Sequence, residues 1–199
     1  MHEEDAAPMI IPEMHFDTSQ LTNEQNNKKF LLSLENKATK KIVGHLDILK
    51  DKNTPVYKTG DGKQGYYFVA SDNKIVVLIQ YKASRIKGLG NLGVITQIAL
   101  WKNDEFVVMG TFSSNLFFDI VLKDNGAVLS DSHQTRYGMD FWKRRLSEAL
   151  TQRNKKIVYW DSNTGEFTEV KERIELDALF RLSWSTEKFA SKLRWVVID

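Results

Sequence analysis

The chain has 199 residues, 42% of them apolar and 27% charged, a formal charge of +2 and no cysteine. That length fits one sizeable core, and the small net charge argues against a dedicated nucleic-acid or anionic-membrane binder. The missing cysteines exclude disulfides, thiolate nucleophiles and Cys-based zinc or iron-sulfur sites, which suits a reducing cytoplasm.

Residues 1–28 hold two of the three prolines and the polar run TSQLTNEQNNKK, so they read as an extended or mobile arm with a short helix after Thr22. A single α/β domain is expected over 29–199. FLLSL at 30–34 predicts a strand, and Ile42, Val43, Leu46 and Leu49 are spaced for a helix over about 38–50. YYFVAS and KIVVLIQYKAS then predict a hairpin with Asp72 and Asn73 at its tip. KGLGNLG at 87–93 precedes a strand rather than a helix, so it reads as a bend and not a phosphate loop. VITQIALWKN comes next as a strand covered on both faces.

The period then changes. Phe112, Leu116, Phe117, Ile120 and Val121 share one helical face, with Thr111 or Ser113 placed to cap it. GAVLS predicts a short buried strand, and Trp142, Leu146, Ala149 and Leu150 mark a second helix over RYGMDFWKRRLSEALTQ. KKIVYWD and EFTEVK form a hairpin across SNTG, and a helix and a last strand close the chain. The fold class is α/β: a mixed, mainly antiparallel sheet flanked by helices.

No apolar run approaches a membrane span, and the acidic start lacks the features of a signal peptide, so a soluble, cytoplasmic protein is expected. The histidines at 2, 15, 45 and 133 show no metal-ligand spacing, so no metal is expected. Between GAVLS and its following helix, Asp131, Ser132, His133, Gln134, Thr135 and Tyr137 gather at a strand's carboxyl end, where open α/β sheets place ligands. Asp131 or His133 would serve as a general base and Tyr137 as a general acid. The alternative is that Asp131, Ser132 or Thr135 only caps the helix. Lys143, Arg144, Arg145, Arg153, Lys155 and Lys156, with Tyr159 and Trp160 nearby, offer a weaker nucleic-acid reading; cations near a helix end also simply complement its dipole. Trp184, Phe189, Leu193, Trp195, Val196 and Ile198 either complete the core or form a protein or homo-oligomer interface.

This element order, over roughly residues 30–170, resembles the GNAT (Gcn5-related N-acetyltransferase) superfamily. The resemblance implies acetyl-CoA or another acyl-CoA as donor, an amine acceptor, and a cofactor loop at VVMGTF, with Met109, Gly110, Thr111 and Phe112 against the pyrophosphate. The family's loop reads Arg or Gln, two residues, Gly, one residue, Gly or Ala. Here Gly110 matches, Val107 stands in the Arg/Gln place and Phe112 in the small-residue place. SDSHQT, then Gly and FW ahead of a basic helix, is also similar to GNAT-like proteins of tailed bacteriophages. That implies, as an alternative, a non-catalytic binding or structural protein of the virion or host cytoplasm.

Overall fold

The structure is a computed structural model that describes residues 19–49, 51–86, 89, 93–106, 111–131, 136–183 and 193–199, with backbone alone for 19, 20, 97–99, 136, 137 and 183. It is mixed α/β and mainly antiparallel. The chain divides into two compact units, and each is described by itself.

The first unit comprises Phe16–Ser84 and Ile95–Asn125. It contains α1 (Ser19–Thr22), α2 (Glu24–Glu35), β1 (Lys41–Leu46), β2 (Thr54–Gly60), β3 (Gln64–Ser71), β4 (Lys74–Ser84) and β5 (Gly93–Lys102, from Ile95 onward). It ends with α3 (Thr111–Asn115), a π-helical segment (Leu116–Leu122) and the closing turn α4 (Lys123–Asn125). The strands lie in the order β1-β2-β3-β4-β5.

Two expectations are corrected here. FLLSL is not a strand but the second half of α2. The Asn23 side chain accepts from the Gln25 and Asn26 N–H groups, each at 3.1 Å, and so supplies the helix start with the acceptor it lacks. Asn27, Leu31 and Leu34 are buried at i, i+4 and i+7, whereas Leu32 is left outside. Conversely, the segment expected as a helix over 38–50 contains the strand β1. Two β-branched residues followed by Gly44 make a poor helix, and β1 instead pairs antiparallel with β2 from Lys41↔Lys58 to Leu46↔Thr54, with a bulge between Ile42 and Gly44. A Cβ on Gly44 would run into Ile120 Cδ1, so glycine lets the π segment sit close to β1.

Asn27 ties α2 to the sheet. Its Nδ2 donates to the Leu21 and Ile75 carbonyls at 3.0 and 3.1 Å, and its Oδ1 accepts from Ile75 N–H at 2.7 Å. Asn27→Ala is expected to cost about 2–3 kcal/mol, because it strands the buried Ile75 amide in addition to losing three bonds. A urea denaturation midpoint that stays within error of the wild type would refute this.

The β3–β4 hairpin is as expected: Asp72 and Asn73 occupy its tip with φ of 51° and 57°, the left-handed pair that a two-residue turn between twisted strands requires. The core of this unit gathers Leu31, Leu34, Phe68, Ile75, Leu78 and Trp101.

The second unit comprises Arg85–Val94 and Gly126–Asp199. It contains β6 (Gly126–Ser130), α5 (Arg136–Ala149), β7 (Lys156–Asp161), β8 (Phe167–Val170), α6 (Arg173–Ser183) and β9 (Leu193–Ile198). Its strands lie in the order β6-β9-β7-β8, all antiparallel, so the last strand of the chain is inserted between β6 and β7. One sheet face carries Ala127, Leu129, Val158 and Val196, which pack with Ile86 and Val94. On the other, Trp195 lies against Tyr159 and Phe180, with ring centroids at 4.8 and 6.1 Å. Trp195, Val196 and Val197 are fully buried, so β9 belongs to the core. Trp184 and Phe189 lie outside the described residues.

Candidate functional site

Thr111 opens α3 and is exposed, while Phe112 beside it is only 9% exposed and turned into the core. Val107, Met109 and Gly110 lie outside the described residues. Asp131 directly follows β6 and is half-buried. His133, together with Ser132, Gln134 and Thr135, lies outside the described residues; Tyr137 is in the first turn of α5, its side chain not described. The chain thus carries Asp131 and Tyr137 at the two ends of one short connection. Thr111 and Phe112 belong to the other unit.

Asp131 has a neighbour that the sequence did not single out. The antiparallel register sets Leu129 opposite Val196, Arg194 opposite Trp160, and Trp160 opposite Phe167. Two residues beyond Leu129, Asp131 falls level with Arg194. Arg194, Trp160 and Phe167 therefore form a row across β9, β7 and β8 on one sheet face, and Asp131, one residue past the end of β6, continues its line. Burial pushes the Arg194 guanidinium below its usual pKa, and the negative charge of Asp131 partly offsets that. Trp160 and Phe167 stack at 6.4 Å with ring planes 21° apart. Arg194 Nε and Trp160 Nε1 are buried with no hydrogen-bond partner among the described residues. The insertion of β9 between β6 and β7 creates this row, and no local spacing announces it.

A second polar cluster forms in the first unit, also unannounced. Lys58 on β2, Tyr67 on β3, Tyr81 on β4 and Asp124 and Asn125 on α4 converge. Lys58 Nζ lies 2.5 Å from Asp124 Oδ2, which also accepts from the Tyr67 hydroxyl at 2.7 Å. Asn125 Nδ2 donates to Tyr67 Oη at 2.6 Å, and the Lys58 ammonium stands 5.1 and 5.2 Å from the Tyr67 and Tyr81 ring centroids. Lys41 Nζ is 3.8 Å from the other Asp124 oxygen. Burial raises the Asp124 carboxyl, but Lys58, Tyr67 and Lys41 outweigh it and hold the group below the usual carboxylate range. Burial, followed by the bond to Asp124, pushes the Tyr67 hydroxyl well above its usual value. With its oxygens engaged and its charge shared by two lysines, Asp124 is suited to fastening the helix end to the sheet rather than to proton transfer.

A polar cleft of about 410 Å³ in the same unit is lined by Lys37, Thr39, Asp61, Gln64, Tyr66 and Gln80. Asp61 accepts from the Lys63 and Gln64 amides at 2.9 Å each and is thereby a turn-forming group.

The basic stretch on α5 is split between inside and outside. Lys143 and Arg144 are exposed, but Arg145 is 3% exposed, bonded through Nη2 to Glu148 at 2.8 Å, and set 5.4 Å from the Phe141 ring centroid. It adds nothing to a surface patch.

Among the described residues no group of three His, Asp or Glu side chains could hold a metal ion, and no helix is long and apolar enough to cross a membrane. No protein-family model, curated protein or solved structure matches the chain.

Proposed function

We propose that this chain is a GNAT-like N-acyltransferase that moves an acyl group from an acyl-CoA to an amine. The observation that carries the reading is the orientation of Phe112. In the loop pattern its ring would obstruct a pyrophosphate, but the side chain is folded into the core and leaves Thr111 exposed at the helix start. A helix start offers backbone N–H groups and a positive dipole end to an anion. The succession β5, α3 with its π continuation, β6, α5 and then antiparallel strands supports the same reading. Val107, which brings no donor to the Arg/Gln place, leaves the backbone from Met109 to Phe112 to hold the pyrophosphate.

When bound, acyl-CoA supplies an activated thioester carbonyl. Asp131 or His133 takes the proton of the attacking amine as the C–N bond forms, and Tyr137 returns a proton to the departing sulfur as the C–S bond breaks.

Calorimetric titration with acetyl-CoA and with free CoA tests the reading. Saturable binding that is lost in Gly110→Trp is expected, and no binding at millimolar ligand sinks it.

One observation favours a second reading, a GNAT-like fold serving as a binding or structural component. Val107 brings no side-chain donor to the place where the family's loop has Arg or Gln. A folded protein that binds neither acetyl-CoA nor free CoA would select this reading.

A further inference from the structure

The row of Asp131, Arg194, Trp160 and Phe167 presents more than a base. It sets a carboxylate and a guanidinium side by side at the end of a sheet, flanked by a stacked aromatic pair, and all four side chains keep part of their surface open. Two of its donors, Arg194 Nε and Trp160 Nε1, come from cross-strand neighbours and are buried with no acceptor among the described residues. A buried N–H without an acceptor is costly, so two adjacent ones mark a place where an acceptor belongs. The acceptor that suits a guanidinium best is a carboxylate, through charge-assisted bonds. Asp131, of opposite sign and beside it, suits an ammonium.

We infer that this row is a binding site for an amino acid: Arg194 and Trp160 hold its carboxylate, Asp131 holds its amino group, and the Trp160–Phe167 pair lies against its side chain. The inference deepens the acyltransferase reading, on which the acceptor assignment rests, by naming the acceptor class as an amine that also carries a free acid. The adjacent opposite charges match a zwitterion better than a molecule with either charge alone, which can answer only one of them. Asp131 then has two successive tasks: it pairs with the ammonium of the incoming acceptor, which loses one proton to solvent to free the nitrogen lone pair, and it takes the second proton as the C–N bond forms.

Calorimetric titration of the full chain with L-phenylalanine, phenethylamine and 3-phenylpropionate tests this directly, because the three share a ring and differ only in their charges. Phenylalanine is expected to bind at least about tenfold more tightly than either analogue. Arg194→Gln should abolish its advantage over phenethylamine, because the guanidinium that holds the carboxylate is gone while Asp131 remains for the ammonium. If Arg194→Gln does not fold, Arg194→Lys serves: it keeps the charge but has no Nε–H fork, and it should also lose the preference. Equal binding of phenylalanine and phenethylamine, no phenylalanine binding at millimolar concentration, or an unchanged preference in the folded Arg194 variant overturns the inference. Titrating the same samples with acetyl-CoA separates the two ideas. A phenylalanine preference without acetyl-CoA binding keeps the amino-acid site and removes the transferase reading, and the reverse result removes the site alone.

Discussion

Asp124→Ala is expected to lower the stability of the protein by about 3 kcal/mol, the lower part of the range for removing one partner of a buried ion pair. The lower part applies because the Asp124 and Lys58 side chains keep 19% and 17% of their surface. Three losses act together. Lys58 remains among Tyr67 and Tyr81 without its counter-ion, the Tyr67 hydroxyl loses its acceptor, and Lys41 and Lys58 face each other directly across β1 and β2 with nothing to offset their repulsion. Removing the charges together should cost less: Lys58→Met with Asp124→Leu is expected to recover part of the loss, as buried pairs replaced by apolar groups commonly do. Urea denaturation of both variants measures this, and a double variant less stable than Asp124→Ala would contradict it.

The same pair sets an acid limit. The Asp124 carboxyl is held lower in the folded chain than in the unfolded one, so the unfolded state binds the proton more readily. The stabilisation is complete above the unfolded value, near 3.9, and is lost as the pH falls through the lower folded value. Asp124→Ala should therefore flatten the acid side of the stability curve, and an acid transition identical to that of the parent would disprove this assignment.

Trp195→Ala is expected to cost about 4 kcal/mol in the second unit. Trp195 is fully buried, lies against Tyr159 and Phe180, and its backbone N–H donates to Ser130 Oγ at 3.0 Å. Alanine leaves a cavity between the sheet and α6 that those rigid rings cannot collapse to fill. Trp195→Phe keeps most of the volume and should cost clearly less. Comparable destabilisation by the two substitutions would show that the indole's size is not what matters.

Much of this architecture was legible in the sequence wherever the signal is local. Asp72-Asn73 between two apolar runs marked the β3–β4 hairpin, and the spacing of Trp142, Leu146 and Ala149 marked α5. Where the local signal is ambiguous the reading failed: FLLSL suits a strand until the Asn23 cap is counted, and the apolar spacing of Ile42 to Leu49 suits a helix until Gly44 is set against Ile120. Sequence placed Asp131 at the end of a strand. It could not place Arg194 and Trp160 beside it, because that requires the chain's last strand to enter between two earlier ones. Lys58 and Asp124, 66 residues apart, meet only through the sheet and the helix end.

The π segment from Leu116 to Leu122 also acts as a phase adjuster. Each residue in an α-helix advances the direction of the next side chain by about 100°. A wider turn holds more residues per revolution, so it changes the heading of every later side chain without changing the axis. Directly beyond the segment's last turn stand Asp124 and Asn125, the two residues that lock onto Lys58 and Tyr67. Shortening the segment by one residue would keep a helix of much the same composition and still swing the lock away from its keyhole. The length of this apolar stretch, as much as its content, is thus part of the information that joins the helix to the sheet.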